Sequence, residues 1–465
     1  MRRWLTAGVC ILVPLGVLVL PVPAGLSPVA WRLFAVYLGA VLGIILRPVP
    51  EPVVLIVAMA VASTWLRSTT MALHAFGESI PWLVFTAFLI GQCFLETGLG
   101  SRIAHYLIGH FGRTSLRLGY VSALTDLIIA PATPSNTART GGLVYPIFSS
   151  LAVTLDSRPS ANPRRIGAYF MLLMYQNSLI TATMFITSGA ITPMLLKLST
   201  NIMGANVSWL QWAVAMSVPG LISLALVPYL VYKLYPPELD RIDVKALSEQ
   251  SARHLGPMSR REKVLAVLFV LAILGWATGT VTKIDPVAVA IAMLAASLLT
   301  GVISWEKVLE CKNAWSTFIW YAGIISLANG LTKEKFFSWL GKLFETNLHF
   351  SGMNPLVVMG GLVLLTVVVR YFFASTIAFV VTFIPVIFSL GAAARLPPIP
   401  LLFLCAASAQ IASLLTHYGN AVGPVLFGAG YVDKATWWKV GHIVTYVCMA
   451  IYFVGGLLWW KALGF

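Results

Sequence analysis

Hydrophobic residues in this chain do not alternate with polar ones; they run in long blocks. Apolar blocks stand near 4–21, 32–47, 52–65, 81–98, 166–190, 209–232, 263–280, 286–303, 314–331, 400–428 and 440–462. A helix of roughly 20 such residues matches the hydrocarbon thickness of a bilayer. The pattern predicts an all-α polytopic membrane protein. Two longer stretches, about 118–152 and 356–393, carry polar residues or prolines near their middle. Each reads as a re-entrant helical hairpin that enters and leaves on one face. The count is then about eleven transmembrane helices plus two hairpins, with the C-terminus outside if the N-terminus is inside.

The polar breaks matter because hydrocarbon tolerates neither unpaired backbone nor a bare charge; such a segment must be shielded by protein or line a wet cavity. The sharpest break is Pro131-Ala-Thr-Pro-Ser-Asn-Thr-Ala-Arg139, and a weaker echo follows at Phe373-Ala-Ser-Thr-Ile377. Around them the two halves of the chain repeat. Phe85-Thr-Ala-Phe-Leu-Ile-Gly with Glu96-Thr-Gly-Leu99 matches Phe318-Ile-Trp-Tyr-Ala-Gly-Ile with Ala328-Asn-Gly-Leu331. An amphipathic segment follows each, 101–111 and 333–344, and then the hairpin, with a proline eleven residues past Ser135 and past Ala374. An odd number of crossings per half makes the repeats inverted and puts a shared site near the midplane. The expected units are N-terminal scaffold helices over 1–80, a first repeat over 81–234, a polar linker over 235–262, and a second repeat with the last helix over 263–465.

Composition agrees: 58% hydrophobic, 10% charged, against about a quarter charged in soluble domains. The first block, although it follows Arg2 and Arg3, lacks a clear cleavage site and reads as a retained helix. The net charge of +15 resides mostly in short loops that share one face in this threading. That is the positive-inside pattern, which puts the N-terminus in the cytoplasm, and it argues against nucleic acid as a partner. Five scattered cysteines show no metal spacing and predict free thiols. No metal site, phosphate loop or nucleophile motif is present, and no clustered acids or histidines suggest a membrane-embedded enzyme.

Ser135, Asn136 and Thr137 offer hydroxyls and an amide, and helix ends in a broken hairpin add backbone N–H groups of partial positive charge. Together they suit a carboxylate. Ser375 and Thr376 are their second-half counterparts. Ser413-Leu-Leu-Thr-His-Tyr-Gly-Asn420 breaks the tenth span and brings Thr416, His417 and Gly419; Thr187 lies in the matching break of the fifth, about 166–193. Arg139 and His417 can act as fixed positive charges that do the work of co-transported cations, or Arg139 can snorkel to the surface. Asp126, Glu96 and Asp285 are the notable acids near the spans, without an obvious partner.

At these residues the chain resembles the divalent anion/sodium symporter family, nearest the bacterial and plastid dicarboxylate exchangers. Ala130-Pro-Ala-Thr-Pro-Ser-Asn-Thr-Ala-Arg139, Tyr235-Pro-Pro-Glu238, Leu255-Gly-Pro-Met-Ser-Arg-Arg-Glu-Lys263, Leu299-Thr-Gly-Val-Ile-Ser-Trp305 and Leu415-Thr-His-Tyr-Gly419 with Tyr431-Val432 carry the resemblance over nearly the whole chain. The resemblance implies an elevator-type homodimer in the bacterial inner membrane that carries di- or tricarboxylates by exchange, with sodium symport of the same or smaller organic anions as the alternative and no other cofactor. It implies a site between the hairpin tips and the broken spans. The chain departs from the family pattern at Ile377-Ala378-Phe379, where Thr-Ala-His is usual, at Ile191-Thr192-Pro193, and at Ser316.

Overall fold

The apolar blocks fold as helices from one end of the chain to the other. The computed structural model describes residues 2–242, 256–348, 350 and 352–465. Among these there is no β-strand, only two isolated bridges, Thr114 with Arg241 and Arg158 with Ala161. Seven helices are long and apolar enough to cross a membrane, and four shorter apolar ones join them. Helix starts follow capping chemistry. Ser27, Ser208, Ser259 and Asp285 each accept a hydrogen bond from a backbone N–H of the first turn. Pro28, Pro286 and Pro355 take the first helical position, where a missing N–H costs nothing.

Both long stretches are two-armed. The first runs as Ser115–Ile129, a short 3₁₀ turn, an irregular tip over 133–135, a π-helix Thr137–Val144 and then Tyr145–Thr154. The second runs as Pro355–Arg370, a tip over 371–375, and Thr376–Ala393. At 1.5 Å per residue the two leading arms are roughly 22 and 24 Å long, short of a bilayer core. The register of the repeat shifts by one. Ser135 Oγ accepts from Ala138 N, and Ser375 Oγ accepts from Ala378 N, each at 3.2 Å. Ser135 therefore matches Ser375 rather than Ala374. The π-helix explains the discrepancy: its wide turn takes in one extra residue between the capping serine and Pro146.

The fifth span is longer than the apolar block suggested. Gly167–Met184 breaks at Phe185 and resumes as Ile191–Met203. The tenth breaks after Leu415 and resumes as Gly423–Gly428. The Gly98 and Gly330 match of the repeat is sequence only. Gly98 ends its helix with φ +78, whereas Gly330 lies inside Lys312–Lys333, where an added Cβ would press on the side chains of Leu33 and Met71.

Helices Pro28–Leu46, Glu51–Trp65 and Ser79–Thr97 pack around Lys312–Lys333. The broken spans and hairpins pack on one another: Gly167–Met184 against Pro398–Ile411, and Ile191–Met203 against Thr376–Ala393. A polar seam joins the two groups. Lys197 Nζ stands 3.1 Å from Glu78 Oε2, Asn329 Nδ2 donates to Glu78 Oε1 at 2.7 Å, and Asn201 Nδ2 donates to Asn329 Oδ1 at 2.8 Å. On one face the basic loops are stitched together. Glu238 N and Leu239 N donate to Arg164 O and Arg165 O, and Ile242 N to Arg113 O. The middle of the linker expected over 235–262 lies outside the described residues.

Candidate substrate site

The two hairpin tips face each other across a cavity of about 390 Å³, within the usual range of about 300–1,000 Å³ for small-ligand sites. Ser135, Asn136, Thr137, Ser375 and Thr376 line it, with Gly189, Ala190 and Ile191 of the fifth break and Asn420, Ala421 and Pro424 of the tenth. Gln410, Tyr418, Thr317 and Trp320 complete much of the wall. Four expected residues stand behind the wall instead. Thr187 is buried and accepts from the Trp209 indole at 3.3 Å. Thr416 is buried, and its carbonyl accepts from Tyr175 Oη at 3.1 Å. Gly419 is packed so closely beneath Ser413 that an added Cβ would overlap the Ser413 carbonyl. His417 sits against Trp438 and Phe427.

Each tip is clamped to one broken span by an arginine. Arg139, 1% exposed, uses all five guanidinium N–H groups. Nε donates to Asp126 Oδ2 at 3.1 Å, Nη1 to the carbonyls of Thr133 and Ser188 at 2.8 and 3.0 Å, and Nη2 to Ser178 O at 3.2 Å and Thr181 Oγ1 at 3.1 Å. Thr140 and Thr181 hydroxyls donate to the same carboxylate. Ala190 N donates to Pro134 O at 2.8 Å, tying the same tip to the break in the fifth span. Arg139 therefore does not snorkel, and Asp126 has a partner after all. The sequence hid the pair because its members stand thirteen residues apart, on opposite arms of the hairpin.

Arg370 does the same work in the second half. It is also 1% exposed. Nε donates to Ala409 O at 3.2 Å, Nη1 to Phe373 O, and Nη2 to Thr376 Oγ1 and Ser413 Oγ, both at 2.8 Å, and to Gly419 O. Its guanidinium lies over the Phe379 ring, 5.5 Å from the centroid. By the serine register, Phe379 occupies the place that Arg139 holds in the first hairpin. Among the described residues Arg370 has no carboxylate partner, whereas the other buried charges, Asp126, Arg139 and Glu262, are paired.

This replaces the expected charge pair. His417 Nδ1 accepts from Trp438 Nε1 at 3.0 Å, and a ring nitrogen that accepts carries no proton, so His417 is no fixed cation here. Arg139 is balanced by Asp126. The uncompensated cation is Arg370, which the sequence reading missed. The available signal was an arginine closing the apolar run Val367-Val-Val-Arg370, the kind of intramembrane charge that marks function.

Gly419→Ala should cost transport even though Gly419 does not touch the cavity. The added methyl meets backbone, which cannot swing aside, and it displaces the carbonyl that Arg370 holds. Overpacking of this kind costs about 1–3 kcal/mol. A lowered unfolding temperature in detergent together with lost uptake is the expected result.

Comparison with known proteins carries this reading further. The sequence model described as sodium:sulfate symporter transmembrane region matches residues 1–465. The chain belongs to this family, the divalent anion/sodium symporters. Inner membrane protein YbhI of Escherichia coli (strain K12) is 43% identical over 96% of this chain and 94% of its own. The L-tartrate/succinate antiporter of the same strain is 36% identical over 96% of this chain and 97% of its own. Among solved structures, the Alcanivorax borkumensis YdaH transporter aligns with TM-score 0.57 at 14% identity, over 85% of this chain and 88% of that one, which is a likeness of fold alone. This symporter-family protein is therefore a membrane transporter of anions and not an enzyme.

Proposed function

We propose that the protein exchanges organic dicarboxylates across a bacterial inner membrane, as a homodimer in which the hairpins and broken spans move together past the helices packed on Lys312–Lys333. The observation that carries this reading is Arg370. The buried charges at the hairpin tips sum to one positive charge, so the cavity holds an anion without a bound cation beside it. The relation to an L-tartrate/succinate antiporter supports the same substrate class. Energetics favour exchange: moving a dianion inward against 100 mV costs roughly 4.6 kcal/mol, at about 2.3 per charge. A counter-moving dianion cancels that term. A buried positive charge with nothing bound resists crossing, which couples movement to substrate. The basic loops gathered on one face support a cytoplasmic N-terminus.

The test is uptake of labelled malate, succinate and 2-oxoglutarate into proteoliposomes, empty or preloaded, with and without sodium. Uptake confined to preloaded vesicles and indifferent to sodium is expected. A sodium gradient driving uptake into empty vesicles would replace exchange by symport.

Movement of this kind must part the polar seam of Lys197, Glu78, Asn201 and Asn329. Glu78→Gln should raise the exchange turnover about two- to fivefold with little change in KM, the scale of one partly exposed ion pair. A change in KM at unaltered turnover would count against the seam as a brake.

A further inference from the structure

One cationic side chain reaches the cavity from outside the hairpin pair. Arg47 lines it beside the tips, yet it caps the C-terminus of Pro28–Leu46, a helix of the group packed on Lys312–Lys333. Its backbone takes φ +48, a left-handed conformation that residues with a Cβ rarely adopt outside constrained sites. The turn is held by its N–H to Gly43 O at 2.9 Å. The side chain is 57% exposed, and Nη2 meets Glu51 Oε1 at 3.0 Å. One carboxylate on one nitrogen leaves guanidinium donors for a second carboxylate.

We propose that Arg47 is an anion receptor at one mouth of the cavity, fixed to the stationary helices, so that it raises affinity for dicarboxylate from that face alone. The inference rests on the exchange reading above. When the hairpin pair moves away, the substrate leaves Arg47 behind, and Glu51 stays to satisfy it. The site is then electrostatically unequal between its two positions. The face is the cytoplasmic one: the chain crosses twice between Arg47 and Thr97, which returns it to the side where Arg102 meets Glu262 next to the basic loops. Glu51 sets the strength of the receptor by competing for the guanidinium.

The test measures exchange KM for malate separately from each face, in intact cells and in inverted membrane vesicles. Arg47→Gln should raise KM about two- to fivefold, the fold equivalent of an exposed ion pair, in inverted vesicles only. Glu51→Gln should lower it on that same face. Arg67→Gln is the control, since Arg67 is an exposed arginine of the same left-handed conformation (φ +51) that does not line the cavity. Equal shifts on both faces, or no shift for Arg47→Gln while the unaltered protein exchanges normally, overturn the receptor and leave the exchange reading standing. Absence of dicarboxylate exchange in the unaltered protein removes both.

Discussion

Replacing Arg370 with Gln should raise the KM for the proposed dicarboxylate substrate about 10- to 100-fold. A hydrogen bond to a charged group is worth about 1.5–3 kcal/mol, and each 1.4 kcal/mol is tenfold in affinity. Two effects act together. The substitution removes the one buried positive charge that, among the described residues, no carboxylate balances. It also releases Thr376, a cavity-lining residue whose hydroxyl accepts from Arg370 Nη2 and from Asn420 Nδ2 at 3.3 Å. Arg370→Lys separates the two, because a lysine keeps the charge but cannot reach Ala409, Phe373, Ser413 and Gly419 at once from a single nitrogen. The lysine variant should fall between. If the fixed charge does the work of a co-transported cation, Arg370→Gln should gain activity when sodium is added. An unchanged KM in a variant whose unfolding temperature in detergent is also unchanged would remove Arg370 from the mechanism.

Asp126→Ala should destabilise the protein by about 3–5 kcal/mol, the usual cost of stranding one member of a buried ion pair. Arg139 would then hold a full charge at 1% exposure with only carbonyls and hydroxyls around it. The double variant Asp126→Ala, Arg139→Met should recover much of that loss, since it leaves no buried charge unpaired. Unfolding midpoints of the two single variants and the double one close the cycle. Additive losses would show that the 3.1 Å pair contributes nothing beyond packing. Arg139→Ala alone is expected to weaken transport through the loosened hairpin tip rather than through lost charge at the cavity. Its defect should therefore track the fall in midpoint, whereas that of Arg370→Gln should not.

The alignment of the repeats shows where sequence logic stops. Counting from proline to polar break matched Ser135 with Ala374. The caps on Ala138 N and Ala378 N match it with Ser375. Nothing in Thr137-Ala-Arg-Thr-Gly-Gly-Leu-Val144 announces a π-helix. The one-residue widening is seen only in the folded chain, where Gly141 lies near Val422 and Val425 of the tenth span. The corrected register makes Phe379 the counterpart of Arg139, and the buried cation of the second half comes from the other arm of its hairpin. His417 was misread for a related reason. A histidine beside a helix break has the same sequence whether its ring faces an anion or accepts from an indole, and only Trp438, twenty-one residues on, decides between them.

By itself the sequence determined what depends on local chemistry and on the solvent. Long apolar blocks had to become helices in lipid, because each must satisfy its own backbone there. The polar tips at 133–137 and 374–376 had to be sheltered, and the short basic loops had to share a face. Those signals are written in neighbouring residues. The tertiary structure alone decided the charge balance of the site. Asp126 neutralises Arg139 across the hairpin, Arg370 has no acid partner among the described residues, and Arg47 enters from a different group of helices. Electrostatic energy depends on distance in space and on burial, and residues far apart along the chain acquire both only when it folds.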